Sequence, residues 1–416
     1  MHNGVISSRR LLFYTLFCAY ICTGILSVLP GASLPLLAQH TRVPLDLAGF
    51  SFTFSALGFT IGVLIAGALT GRLNSKYLLM TGLGLMSLAS IFMPWTPSFS
   101  VLLLSQFTKG VGFGFIDVSI NTLATLAFAD TLGETLNNIH SSYGVGALIG
   151  PLLLSLALQF LNDALWAYLV GVIIGMGAII LLAGQIVPAL SRRNERQQQQ
   201  NPPVTRGIFR QSLLWFMTLQ IALYVGAELG FGNWIVTAIS KSAAVTLVFA
   251  APAATAFFVG LTLGRLVGGQ VLRRKLLSEN QLLFVSIFGG TISGMVVAAF
   301  TGQIVISFVA STLVGLFYGP LFPGIMAIAS RWFVHALGAV SSVMLISTGA
   351  AAMILPPLMG VLIPLAGVNW VMVIPAAACL LIAIPLSLAI WRQKHTLLLQ
   401  PDMHTIEQAS SATSPM

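Results

Sequence analysis

The chain has 416 residues, 57% of them hydrophobic and 7% charged, with 19 Lys and Arg against 10 Asp and Glu and a formal net charge of +9. That is more apolar surface than a soluble core hides, so the composition excludes a soluble globular domain and points to an integral membrane protein. The basic residues sit in short clusters between apolar runs rather than on one folded face, which excludes a nucleic-acid-binding domain as well.

Twelve apolar segments follow one another at about 11–38, 46–70, 76–95, 99–129, 135–160, 165–189, 211–238, 246–271, 279–301, 304–330, 335–365 and 368–391. Each is long enough for a helix of about 20 residues or more, and helices satisfy their own backbone groups in hydrocarbon. The first segment follows Arg9 and Arg10 and carries no convincing small-residue cleavage site, so it reads as a retained span and not a signal peptide. Cys18, Cys22 and Cys379 all fall inside apolar segments and suggest neither a disulfide framework nor a metal site.

With the N-terminus cytoplasmic, that side collects Arg9, Arg10, Arg72, Lys76, Arg192, Arg193, Arg196, Arg206, Arg210, Arg273, Arg274, Lys275, Arg331, Arg392 and Lys394. Arg42 and Lys241 fall on the other side, and Lys109 and Arg265 lie within spans. This asymmetry predicts both the number of crossings and the direction, with both termini cytoplasmic in a multi-pass protein of the cytoplasmic membrane. Between the sixth and seventh segments, Ser191-Arg-Arg-Asn-Glu-Arg-Gln-Gln-Gln-Gln-Asn-Pro-Pro203 is polar and low in complexity. The expected organisation is therefore a six-helix half at 1–190, a linker at 191–210, a second six-helix half at 211–392 and a polar tail at 393–416.

The halves echo each other. Gly58-Phe-Thr-Ile-Gly62 in the second segment returns as Gly260-Leu-Thr-Leu-Gly264 in the eighth, and Arg72 then falls opposite Arg274. Parallel repeats of this size are a transporter plan, with the site at the midplane between them.

Architecture and motifs together resemble the major facilitator superfamily over nearly the whole chain, which implies an all-α membrane fold of twelve helices in two pseudo-symmetric halves. Gly71-Arg-Leu-Asn-Ser-Lys76 resembles the superfamily's signature loop after the second span, where basic residues latch the cytoplasmic gate, although the usual acid is missing. Four segments resemble the fucose permease-like branch of sugar transporters: Gly112-Phe-Gly-Phe-Ile-Asp-Val-Ser-Ile-Asn-Thr-Leu123, Asn138-Ile-His-Ser-Ser-Tyr-Gly-Val-Gly-Ala147, Val225-Gly-Ala-Glu-Leu-Gly-Phe-Gly-Asn-Trp234 and Gly260-Leu-Thr-Leu-Gly-Arg265. The resemblance implies a role in proton coupling for the fourth-span acid, here Asp117. The second acid of that pattern belongs near the end of the first span, where this chain has Pro30 and Gly31.

Of ten acids, only Asp117 and Glu228 sit well inside apolar segments. An ionised carboxylate at that depth costs about 2.5 kcal/mol or more, so each is expected to face protein or water and to have a partner, and both are candidate proton-coupling groups. Gln106, Gly110, Gly114, Asp117 and Asn121 fall at steps of 4, 4, 3 and 4 and share one helical face, on which the glycines also suit close helix packing. On the fifth segment Asn137, His140, Ser141 and Gly144 form a stripe with Tyr143 beside it. His140 there suits a titrating group, a hydrogen-bond acceptor or a satisfied neutral histidine alike. Gln220, Tyr224, Glu228 and Phe231 make a third stripe, followed by Asn233 and Trp234. Carboxylates and carboxamides bind hydroxyls and aromatic faces pack on a pyranose, while Trp234 equally suits an interfacial belt.

The expected solute-binding set is thus Gln106, Asn121, Asn137, His140, Tyr143, Tyr224, Glu228, Asn233, Trp234 and Tyr318. Arg72, Lys76 and Arg265 are expected to gate, with snorkelling as the other reading of Arg265. Lys109 suits solute binding or a structural pair equally. Gly315, Tyr318, Gly319, Pro320 and Pro323 predict a broken tenth helix.

These residues point first to a secondary transporter importing a small polar solute, a monosaccharide above others, with protons as co-substrate. Lipid is the expected surrounding, and a monomer the expected state. A proton-driven exporter is the rival, because Gly146-Ala-Leu-Ile-Gly150-Pro151 partly resembles the fifth-span motif of drug antiporters; a kinked, packed helix is the other reading of that segment. A membrane enzyme or non-transporting receptor is the third reading. No metal-ligand spacing, phosphate loop or paired nucleophile supports it, and no cofactor is expected.

Overall fold

The computed structural model describes residues 2–70, 72–187, 207–333 and 336–398. Gly71, most of the expected linker and the tail from residue 399 lie outside them. Among the described residues the chain is helical, apart from loops and one bridge between Thr70 and Leu73.

Among the described residues, twelve spans are long and apolar enough to cross a bilayer: Arg9–Ala32, Leu45–Leu69, Ser75–Trp95, Phe99–Ala127, Ala129–Phe160, Leu165–Ala183, Ser212–Ser242, Leu247–Arg273, Glu279–Phe300, Ile304–Trp332, Val340–Ala366 and Val368–Gln393. Short connections make neighbours antiparallel. The start of the first span and the end of the last therefore lie at one end of the bundle, the terminal side, and the loops after the odd-numbered spans lie at the other, the far side.

Several boundaries differ from the apolar segments. The first span ends at Ala32, and the apolar residues beyond it form a separate short helix, Leu34–Thr41, after a break at Ser33. The tenth is broken at Gly319 and Pro320 into Ile304–Tyr318 and Leu321–Trp332, as its glycines and prolines predict. The twelfth breaks near Met372 and Ile382, because Pro375 and Pro385 have no N–H to give to the carbonyls of Val371 and Leu381.

Packing repeats with an offset of six spans. The first span packs on the fifth and sixth, the second on the fourth, and the third on the fourth and sixth; the seventh packs on the eleventh and twelfth, the eighth on the tenth, and the ninth on the tenth and twelfth. The seams of second on fourth and eighth on tenth are backbone contacts at glycine. A β-carbon on Gly58 would lie 2.1 Å from Phe107 O, and one on Gly62 2.4 Å from Val111 O. In the other half, β-carbons on Gly260 and Gly264 would lie 1.9 Å from Thr312 O and 2.0 Å from Leu316 O. Gly110 and Gly114 meet the second span from the fourth, and Gly315 and Gly319 meet the eighth from the tenth, at comparable distances. The repeated Gly-Phe-Thr-Ile-Gly and Gly-Leu-Thr-Leu-Gly segments therefore do one job in each half: they let two backbones touch. Gly150 is likewise a packing residue, since a β-carbon there would lie 2.7 Å from Val28 Cγ2.

Side chains at these seams have nowhere to go without moving backbone. Gly264→Leu should lower stability by about 1–3 kcal/mol or more, read as an earlier melting transition in detergent. Gly67→Leu, at a position with nothing within 4 Å, should melt like the unmodified chain.

Candidate functional site

Between the halves lies a cavity of ≈ 210 Å³, enough for on the order of ten water-sized groups or one compact polar solute. Its polar lining is Ser27, Ser55, Lys109, Tyr143, Glu228, Asn233 and Thr348, and Phe59, Phe113 and Phe258 supply rings. Phe113 and Tyr143 are stacked at 5.9 Å, and Phe59 and Phe113 lie 5.0 Å apart. Hydroxyls, an amide, both charge signs and ring faces thus meet in one space.

The seventh span shows how a helical stripe misleads. Val225, Glu228, Leu229 and Gly232, with Asn233, line the cavity at steps of 3, 1 and 3. The stripe Gln220, Tyr224, Phe231 points the other way and is fully buried within its own half, with Tyr224 against Tyr318 and Phe231 against Phe257. Only Glu228 belongs to both, at the edge of the cavity face. The Tyr224 hydroxyl is buried beside Glu228 and Arg265 without a hydrogen bond of normal geometry. Tyr318 donates to Pro375 O at 3.0 Å and packs on Tyr224 and Phe257, so it too stands off the cavity.

On the fourth span, the face with Gly110 and Gly114 is taken up by the second span, and Gln106 is fully buried off the cavity. Lys109 and Phe113 form the cavity face instead. Asp117 turns toward the first span, where the Tyr20 hydroxyl donates to its Oδ1 at 2.5 Å. Tyr20 was not singled out in the sequence, where it is one aromatic in an apolar run and nothing local marks it as the partner of Asp117. Tyr20 meets His140 edge-on at 5.1 Å, and His140 Nε2 lies 3.2 Å from Asn121 Oδ1. Asn121 Nδ2 donates to Asp117 O at 2.8 Å. Asp117, Tyr20, His140 and Asn121 are therefore one cluster on the terminal side of the cavity, and Asn137, exposed, lies further out.

The expected gating residues separate. Lys76 Nζ donates to Ala183 O at 3.0 Å and Gln185 O at 2.6 Å, which ties the third span to the end of the sixth within one half. Arg72 is exposed beside Leu73. Arg265 Nη2 lies 4.0 Å from Glu228 Oε1, joining the eighth span to the seventh at the cavity.

The halves meet at the far side. Thr53 Oγ1 donates to Met353 O at 2.9 Å, a carbonyl left without its helical donor by Pro357. Ser155 Oγ donates to Val248 O at 2.6 Å and Thr255 Oγ1 to Leu148 O at 2.9 Å. Trp234 is fully buried here and neither lines the cavity nor sits at an interface with lipid headgroups: its Nε1 donates to Pro356 O at 2.8 Å, and its ring fills the space left by Gly49 and Gly360. Toward the terminal side, His140, Ser141, Thr262 and Arg265 are exposed. The bundle is closed on the far side and open on the terminal side.

If Asp117 depends on Tyr20, Tyr20→Phe should destabilise by about 1–3 kcal/mol, the cost of a buried polar group left unpaired. Adding Asp117→Leu to Tyr20→Phe should cost less than the sum of the two single changes, as read in a double-mutant cycle of thermal melting.

Known proteins carry the comparison further. Over 318 residues the chain is 23% identical to the sodium-dependent glucose transporter 1 of Xenopus laevis, a match covering 69% of this chain and 63% of that protein's length. Over 357 residues it is 22% identical to the glucose/mannose transporter GlcP of Bacillus subtilis, covering 83% of this chain and 86% of that protein. A crystal structure of a variant of the E. coli fucose:proton symporter FucP superposes with a TM-score of 0.61 at 20% identity, over 92% of this chain and 99% of that one. The sequence profile of the Major Facilitator Superfamily matches residues 16–306 and 253–410, which together span most of the molecule. The chain belongs to the Major Facilitator Superfamily, a family of transporters and not of enzymes.

Proposed function

We propose that this chain is a monosaccharide transporter of the cytoplasmic membrane that works by alternating access with proton symport. The observation that carries the reading is the central cavity between two repeat-related halves, closed on the far side, open on the terminal side and lined by hydroxyls, an amide, a carboxylate and aromatic rings. Such a lining suits a polyol, whose hydroxyls need donors and acceptors and whose C–H faces need rings. The named sugars of the glucose transporters and of FucP support the same class.

With the basic clusters on the cytoplasmic side, the terminal side is cytoplasmic and the conformation faces inward. Both termini, the linker at 191–210 and the tail at 393–416 are then cytoplasmic, and the monomer is the working unit. Tyr143, Glu228 and Asn233 contact the solute. Asp117 carries the coupling proton, passed through the cluster with Tyr20 and His140, which is exposed to the open side. A protonated Asp117 no longer carries a charge across the low-dielectric midplane, so the loaded carrier reorients more easily than the unprotonated one. Glu228 and Arg265 hold the seventh and eighth spans together while the cavity is open.

Counterflow of labelled monosaccharides in proteoliposomes tests both parts. The unmodified chain should exchange at least one hexose and accumulate it under an inward proton gradient. Asp117→Asn should retain exchange within about threefold and lose gradient-driven accumulation. Exchange of no sugar would reject the substrate class, and undiminished accumulation by Asp117→Asn would reject the coupling role.

A further inference from the structure

Among the charged groups of the spans, Lys109 stands apart. It lines the central cavity, is 5% exposed and makes no hydrogen bond or ion pair with any described residue. The acids that would serve it are engaged elsewhere: Asp117 accepts from Tyr20 at 2.5 Å, and Glu228 lies 4.0 Å from Arg265. The cavity and its edge thus carry Lys109 and Arg265 against Glu228, one positive charge in excess. A solitary ammonium at the midplane of a membrane protein is costly to insert, and such charges mark solute or ion pathways.

We propose that Lys109 is the anion-recognising group of the cavity and that the solute is a monoanionic sugar acid, its carboxylate on the Lys109 ammonium and its hydroxyls on Ser27, Ser55, Asn233 and Thr348. The inference rests on the sugar-transport reading and narrows it to a charged subclass. A carboxylate balances the surplus charge one for one. A phosphate dianion would need a second free cation, and among the described residues Lys109 is the one Lys or Arg lining the cavity, while Arg265 at its edge already faces Glu228. A neutral hexose would leave Lys109 buried and uncompensated throughout the transport cycle. The ring faces of Phe113 and Tyr143 beside Lys109 serve the C–H surface of a pyranose equally well whether or not it bears a carboxylate.

The test compares glucose, glucuronate and glucose 6-phosphate on the full-length chain, by binding in detergent and by counterflow in proteoliposomes, for the unmodified protein and for Lys109→Gln, Lys109→Met and Lys109→Arg. Glucuronate should bind about tenfold or more tightly than glucose, as a charge-assisted contact implies. Lys109→Gln and Lys109→Met should remove that preference and leave glucose within about threefold, while Lys109→Arg keeps it. Because Lys109→Gln and Lys109→Met remove an uncompensated charge, these two variants should melt no earlier than the unmodified chain, which separates loss of recognition from loss of fold.

Glucose bound as tightly as glucuronate, a preference for glucose 6-phosphate, or a preference for glucuronate that survives Lys109→Gln would each overturn the proposal. In those cases exchange of glucose would leave the sugar-transport reading standing. Exchange of neither glucose nor glucuronate by the well-folded unmodified chain would overturn both.

Discussion

Backbone-to-backbone contact along two glycine seams is what the rest of this molecule depends on. In lipid, helices gain nothing from hiding apolar surface against one another, because the tails around them are as apolar as leucine. Association must come from close packing, and the second and fourth spans, like the eighth and tenth, reach it by giving up side chains at Gly58, Gly62, Gly110 and Gly114 and at Gly260, Gly264, Gly315 and Gly319. Each half becomes a body held from within. What remains between the bodies is a polar cavity and a short list of contacts at one end.

The charges follow from the same economy of contact. Each intramembrane acid has found a partner on a neighbouring span of its own half: Asp117 on the first, Glu228 on the eighth. The three ion pairs described, Arg9 with Asp130, Arg265 with Glu228 and Arg331 with Glu279, each join elements of a single half. Electrostatics therefore consolidates the halves and leaves the boundary between them to weaker bonds.

Much of this was legible in the residues. Apolar run length and the positions of arginine and lysine give twelve crossings, and the glycine pairs show the repeat because backbone contact tolerates no other residue. The rotation of each helix about its own axis was less accessible. On the seventh span, Gln220, Tyr224 and Phe231 form as good a polar and aromatic stripe as Val225, Glu228 and Gly232, and only packing within the second half, of Tyr224 on Tyr318 and Phe231 on Phe257, decides which one faces the cavity. Partner choice was hidden for a similar reason. Tyr20 is one hydroxyl in an apolar segment, and nothing local says that it reaches Asp117 97 residues away. Lys109 was ambiguous because a lysine pairing with a neighbouring helix and a lysine facing a solute look alike until every acid within reach is accounted for.

The far-side closure has a consequence for how the molecule responds to its surroundings. It is made of neutral hydroxyls on backbone carbonyls, Thr53 on Met353, Ser155 on Val248 and Thr255 on Leu148, with Trp234 as filler. Each such bond is worth about 0.5–1.5 kcal/mol net, so the whole latch amounts to a few kcal/mol, the scale on which two conformations share a population. Dissolved ions screen charges and leave such dipolar bonds nearly untouched. The balance between the two orientations of the carrier is thereby insulated from ionic strength, and left free to answer to what occupies the cavity.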